Sequence, residues 1–254
     1  MSQSHSSQPA KETLPTMYDL KSEDPEEPGL PDEFHDLQPQ LLRETFRPAT
    51  YPPEQVFIGS DLNLYYDLNH PLWYKRPDWF AVVGVSRLYQ AQDLRLSYVI
   101  WQERVIPLIV VELLSPGTEK EDLGLGRTVR EVNQPPSKWE VYEQILQVPY
   151  YVVFNRYTDQ WRGFILDQER YREVEVEEGG LWLPSVELGL GIWQGSYDEI
   201  PRRWLRWFDG QGNWIPTIAE QKQQEQQRAD QEQQRAERLA QKLRELGIDP
   251  DTDR

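Results

Sequence analysis

Asp78, Glu112 and Lys138 are the residues of this chain whose types and placement could do chemistry together. Glu112 sits inside the apolar run IPLIVVELLSPGT, residues 106–118. A lone ionised carboxylate in a dry strand is costly, so it must be paired, protonated, solvated at the strand end or bound to a metal. Asp78 follows Pro77 and precedes the apolar run WFAVVGV. A central strand tolerates proline at or before its start but not in its middle, which places Asp78 at a strand entrance. Lys138 opens a helix. Two carboxylates held close together on adjacent strands repel, and a divalent cation between them or a raised pKa relieves the repulsion. A cation so held can polarise a phosphoryl oxygen and lower the pKa of a bound water. A neighbouring ammonium can orient that water or stabilise charge in the transition state. Acids at strand ends and lysines in a first helical turn are common, so a structural ion-pair network is the competing reading.

Composition narrows the chemistry. The chain has no Cys, which removes disulfides, thiolate metal sites and Cys nucleophiles. Its three His (His5, His35 and His70) are scattered through the N-terminal part, which argues against a His-rich zinc or iron site. Any metal would then be a hard cation on carboxylates, Mg2+ or Mn2+. A net charge of −16 argues against non-specific adhesion to nucleic acid or anionic membrane, without excluding nucleic acid as a substrate. No apolar run reaches transmembrane length and no signal pattern opens the chain, so the expectation is a cytoplasmic protein without membrane contact.

The positioning elements follow from periodicity. Residues 1–35, rich in Ser, Pro, Asp and Glu, read as a disordered acidic arm, and 37–46 as a short helix. VFIGSDLNLYYD, from Val56, reads as a hairpin or a bent strand about its Gly-Ser-Asp turn; 79–85, 97–101 and 108–114 read as strands. Residues 119–136 are polar and read as a surface wrap. Ser137 caps a helix with Trp139, Tyr142, Ile145 and Leu146 at helical spacing and Glu140 completing a capping box. YYVVFN, 150–155, is the next strand, and the strand–helix–strand order makes it parallel to the one bearing Glu112. Alternating segments beyond 155 predict antiparallel strands that extend or cover the sheet. Trp204, Trp207 and Phe208 lie on a helical face or at a strand end and read as a clasp on the core rather than a base-stacking platform. Residues 218–247 predict a helix or weak coiled coil, with Ala229, Ala236 and Leu243, and Leu239 and Leu246, seven apart.

The ordered set of Arg76-Pro77-Asp78 before an apolar strand, VVELLSPGT, Asp122, Lys138 with Tyr142, and PYYVVFN resembles the Uma-two family. These are restriction-endonuclease-like proteins of the PD-(D/E)xK nuclease superfamily, abundant in cyanobacteria. The resemblance covers about 56–193 and implies an α/β fold over 36–210: a mixed sheet core flanked by helices, followed by a long C-terminal helix. It implies a metal-dependent endonuclease acting on DNA, with Mg2+ or Mn2+ on Asp78 and Glu112. The superfamily lysine, two residues after the second acid, would fall on Leu114; Lys138 matches the lysine displaced to the next helix. Ser115 and Asp122 match the loop that shapes the site, and Tyr142 a tyrosine one turn after the lysine. The other reading is a catalytically silent interaction protein that uses the fold as scaffold and the C-terminal helix for homo-oligomeric assembly. A Ser or His hydrolase fails for want of a nucleophile elbow.

Overall fold

The apolar runs assemble into one mixed sheet in the computed structural model, which describes residues 32–115, 119–124, 134–176 and 179–246. In chain order the strands are β1 (Val56–Gly59), β2 (Leu64–Tyr65), β3 (Tyr74–Lys75), β4 (Trp79–Val83), β5 (Tyr98–Val99), β6 (Ile109–Leu114), β7 (Tyr150–Asn155), β8 (Gln160–Asp167), β9 (Arg170–Val174), β10 (Leu181–Leu183), β11 (Leu188–Tyr197) and β12 (Ile200–Phe208). The helices are α1 (Glu33–Thr45), α2 (Ile100–Glu103), α3 (Glu119–Asp122), α4 (Lys138–Glu140, running on through a π turn, Val141–Ile145) and α5 (Ile218–Glu245). The main sheet has the order β1-β4-β6-β7-β8-β9. Its β6–β7 pair is parallel, as the intervening helix requires, and its other pairs are antiparallel.

β6 is buried at every position, the expected state of a strand covered on both faces. Its pleat sends alternate residues to two cores. Ile109, Val111 and Leu113 pack with Trp79, with Leu41 and Leu42 of α1, and with Trp204 and Trp207 of β12. Val110 and Leu114 pack on the other face with Tyr98, Val141, Tyr142 and Tyr151. Glu112 therefore belongs to the layer that carries α4. The architecture is the restriction-endonuclease-like α/β arrangement with a long C-terminal helix.

Several local expectations change. β1 and β2 do not pair: Asp61 turns the chain at φ 48°, sending β1 to the edge beside β4 and β2 to a small sheet with β3 and β5. The strand expected over 97–101 is only two residues long, because α2 begins at Ile100. β8 and β9 extend the main sheet, whereas β10–β12 form a second sheet that covers it. Trp204 and Trp207 lie on β12 and are buried as a clasp. The helix expected from 37 starts at Glu33, three residues inside the presumed arm, because Asp32 accepts the His35 amide at 3.0 Å as N-cap. Residues 1–31 of that arm lie outside the described residues. The π turn after α4 adds a residue to the helical repeat, so Tyr142 and Leu146 face inward while Ile145 turns out. Within the expected surface wrap, α3 is helical and its Asp122 is buried; 125–133 lie outside the described residues.

Gln38 fixes α1 to β12 by donating to the Leu205 carbonyl and accepting the Leu205 amide, both at 2.9 Å. α5 is anchored at its first turn, where Glu220 closes a capping box with Thr217 and pairs with the buried Arg206. None of its residues is buried. Among the described residues no helix is long and apolar enough to cross a membrane.

Candidate active site

The register of β4 on β6 brings the two acids together. Trp79 lies opposite Val111, so one step on Asp78 faces Glu112 across the ladder, on the same face. Two backbone-to-carboxylate hydrogen bonds tie the strands at this step. The Asp78 amide donates to Glu112 Oε2 at 3.3 Å, and the Leu113 amide donates to Asp78 Oδ2 at 2.6 Å.

α4 supplies the next layer. The Ser137–Glu140 capping box sets its first turn, and Lys138 and Tyr142, four apart, project from one side. Lys138 Nζ donates to Glu112 Oε2 at 2.9 Å and lies 3.2 Å from Asp122 Oδ1. The Tyr142 hydroxyl donates to Glu112 Oε1 at 2.9 Å. α3 is held in place by Tyr151, whose hydroxyl donates to the Asp122 carbonyl at 2.8 Å, and by Lys75, which pairs with Glu121 at 2.7 Å. Asp78, Glu112, Lys138, Asp122 and Tyr142 thus converge in one cluster.

Three carboxylates surround a single ammonium there. Burial pushes the Glu112 carboxyl well above the usual range; Lys138 draws it down, while Asp78 and Asp122 push it further up. Burial works against the Lys138 charge, but Glu112, Asp122 and Asp78 outweigh it and hold the ammonium charged. Burial, reinforced by Glu112, likewise keeps the Tyr142 phenol protonated as a donor. This excess of negative charge is what a divalent cation would relieve. An ionised carboxylate offers about four lone-pair sites, of which three donors occupy those of Glu112. Asp78 and the remaining Glu112 site make a two-carboxylate donor set, which suits Mg2+, an ion that keeps several waters and takes one or two carboxylates. Among the described residues no group of three His, Asp or Glu side chains forms a fuller metal cage.

A second layer reaches the same strand end from the opposite face of the sheet, and sequence reasoning missed it. His35 Nε2 donates to the Leu113 carbonyl at 3.1 Å and lies 3.2 Å from Ser115 Oγ. Its Nδ1 lies 2.8 Å from Asp32 Oδ1, and Arg156 pairs with Asp32 Oδ2 at 2.7 Å. A carbonyl and a carboxylate both accept, so both ring nitrogens must donate, and the ring is an imidazolium. Burial opposes that charge, and the hydrogen bond to Asp32 and the field of Asp78 overcome it, raising the His35 pKa. The available signal was Asp32 three residues before His35, an N-cap spacing within the segment read as a disordered arm. Asp61 and Asp67, by contrast, lie in turns and pair with Arg76 and His70.

The chain matches the family model Uma2, whose description reads "Putative restriction endonuclease", over residues 10–198. No curated protein matches it. The match takes in α1 and its Asp32–His35 cap as well as the strands and helix that carry the acid–lysine cluster. On that span, most of its length, the chain belongs to the Uma2 family of restriction-endonuclease-like proteins.

Proposed function

We propose that the chain is a divalent-metal-dependent endonuclease that hydrolyses DNA phosphodiester bonds in the cytoplasm. The observation that carries this reading is the convergence of Asp78, Glu112 and Lys138 from three separate elements on one strand end. Asp78 and Glu112 are the residues to hold Mg2+ or Mn2+, and the bound ion would lower the pKa of a water and polarise the phosphoryl group.

The protein's own residues do the positioning. An ammonium has three donors; Lys138 gives one to Glu112 and is held beside Asp122 as an ion pair, which leaves donor capacity for the attacking water or a phosphate oxygen. Tyr142 fixes the Glu112 carboxylate from the far side, and Asp122 fixes the lysine. His35 holds the Leu113 carbonyl and approaches Ser115, so the strand end cannot rotate freely. An imidazolium beneath the site also adds positive charge where a phosphodiester would arrive.

The test is cleavage of plasmid DNA by the purified full chain with Mg2+ or Mn2+. The wild type is expected to nick or cut, and Asp78→Ala and Lys138→Ala to lose at least about a hundredfold in rate, the scale of one electrostatic catalytic group. Circular dichroism checks that each variant is folded. A silent wild type across metals, salts and DNA forms would sink the reading in favour of a non-catalytic assembly protein.

We also propose that α5 pairs with the same helix of a second copy as a weak coiled coil. Its heptad-spaced Leu239 and Leu246 are exposed, and lone helices of such polarity are marginal in water.

A further inference from the structure

The charge of −16 makes any gathering of cations on this chain conspicuous, and one exists far from the acid–lysine cluster. Residues 46–54, FRPATYPPE, form one wall of a cleft of about 1350 Å³, closed by the C-terminal end of α1, the edge strand β1 and the turn after β4. The strand register sets this cleft apart from the acids. Val56 pairs with Val83 at the cleft's end of the sheet, whereas Asp61 meets Asp78 at the other end. Ile58, which lines it, packs in the layer of α1, on the face opposite Glu112 and Lys138.

Arg43, Arg47 and Arg87 line the cleft, with Glu54 as its one acidic lining residue, a formal surplus of two positive charges. Among the described residues none of the three guanidiniums forms an ion pair with a carboxylate. Arg43 bonds the Ile58 carbonyl through Nη2 at 3.0 Å, and Arg47 the carbonyls of Arg43 and Phe46 through Nη1 at 2.9 and 3.1 Å, so each fork keeps donors to spare. Burial lowers the Arg43 pKa, and the fields of Arg87 and Arg47 lower it further, as expected of three like charges around one space.

The rest of the lining is apolar and stiff. Phe46, Val56 and Ile58 are buried, Tyr51 is half-buried, and Pro48, Pro52 and Pro53 fix the backbone of the wall. The wall is also tied down: Thr50 donates to the Ser185 carbonyl at 3.0 Å, and the Gly84 and Arg87 amides donate to the Gln55 and Glu54 carbonyls at 2.9 and 2.7 Å. A preformed apolar concavity with a few convergent polar groups is the usual form of a small-ligand site, and this one exceeds the roughly 300–1,000 Å³ such sites need. Guanidiniums match phosphate oxygens in planar, bidentate geometry, and a phosphate monoester carries about −1.5 to −2 charge near neutrality, equal to the surplus. An aromatic wall takes a planar ring by stacking.

We propose that this cleft binds a small phosphate monoester with a planar ring body, of mononucleotide size, with Arg43, Arg47 and Arg87 on the phosphate and Tyr51 against the ring. The assignment does not rest on the nuclease reading.

The experiment is isothermal titration calorimetry of the full chain, in chelator, with AMP, GMP, CMP, UMP and 2-naphthyl phosphate as probes and with inorganic phosphate and adenosine as the separate halves. At least one ring-bearing monoester is expected to bind about tenfold or more tighter than inorganic phosphate and than adenosine; the nucleotide and naphthyl arms tell a nucleotide from another aryl phosphate. Arg47 and Arg87 are exposed, so R47Q/R87Q leaves the core intact and is expected to weaken that probe at least about tenfold, the scale of one hydrogen bond to a charged group. Tyr51→Leu is expected to bring it down to the affinity of inorganic phosphate, and Arg172→Gln, on the far edge strand β9, to change nothing. No binding of any monoester, unchanged binding by R47Q/R87Q, or inorganic phosphate binding as tightly as every ring-bearing probe overturns the assignment.

Discussion

Lys138 balances more negative charge than one ammonium can neutralise, and its removal shows what the cluster is worth. Glu112 is fully buried, and in Lys138→Ala it stands beside Asp78 and Asp122 with Tyr142 and one amide as its remaining donors. Breaking a buried pair by deleting one partner costs about 3–5 kcal/mol. Glu112 can avoid part of that cost by taking up a proton, since its folded pKa already lies above the unfolded value and rises further without the lysine. A raised folded pKa gives stability that is present in full below the unfolded value and lost as the pH rises through the folded one. Lys138→Ala is therefore expected to be destabilised more at pH 8 than at pH 5, by about 3 kcal/mol at the higher pH. Urea midpoints at the two pH values measure this, and a loss independent of pH would count against an ionised Glu112 in the wild type.

The N-terminus of α1 obeys the same arithmetic with the sign of a base. The His35 ring is about 13% exposed, donates from both nitrogens and has its pKa raised by Asp32 and Asp78. Its contribution is complete below the unfolded value of about 6.5 and disappears as the pH rises through the folded one. The stability advantage of wild type over His35→Leu is expected to be about 1.5–3 kcal/mol at pH 6, the range for hydrogen bonds to charged groups, and to shrink steadily toward pH 9. Urea titrations of both proteins across that range give the curve; a flat difference would mean that His35 packs as a neutral ring. Legibility at this scale divides by range. Asp78 and Glu112 could be paired from sequence because Asp78 opens one apolar run and Glu112 is the one carboxylate inside another, near its end, and the capping box at Ser137 announced α4. His35 could not, because its partners Leu113 and Ser115 are 78 and 80 residues away and no local pattern encodes that contact. Composition alone read the segment around Asp122 as surface, and only the family resemblance put that residue at the site: a polar segment reads as surface unless a buried lysine is known to need its carboxylate. The strands β1 and β2 were both visible, but their separation into two sheets depends on the turn at Asp61.

Across the described residues the polar mass is concentrated in α5, whose 28 residues bury nothing and whose first turn is tied to the body. Arg206 grips that turn through Glu220 and the Ile215 carbonyl while stacking on Trp193, and Glu44 accepts the Ile218 amide. Beyond this anchor the described residues of α5 bury nothing, so deleting residues 224–254 is expected to change stability by no more than about 0.5 kcal/mol. For a domain of this size that is a shift of about 1–2 °C in the melting midpoint. Self-association should respond differently. Leu239 and Leu246 recur on the heptad with Ala229, Ala236 and Leu243, and in the proposed coiled coil a second copy would cover them. Light scattering of the full chain is therefore expected to give a mass that rises with concentration, whereas the truncated chain stays at monomer mass at every concentration. A concentration-independent monomer for both would reduce α5 to a solvated helix, and a large drop in melting midpoint on truncation would mean that it braces the body.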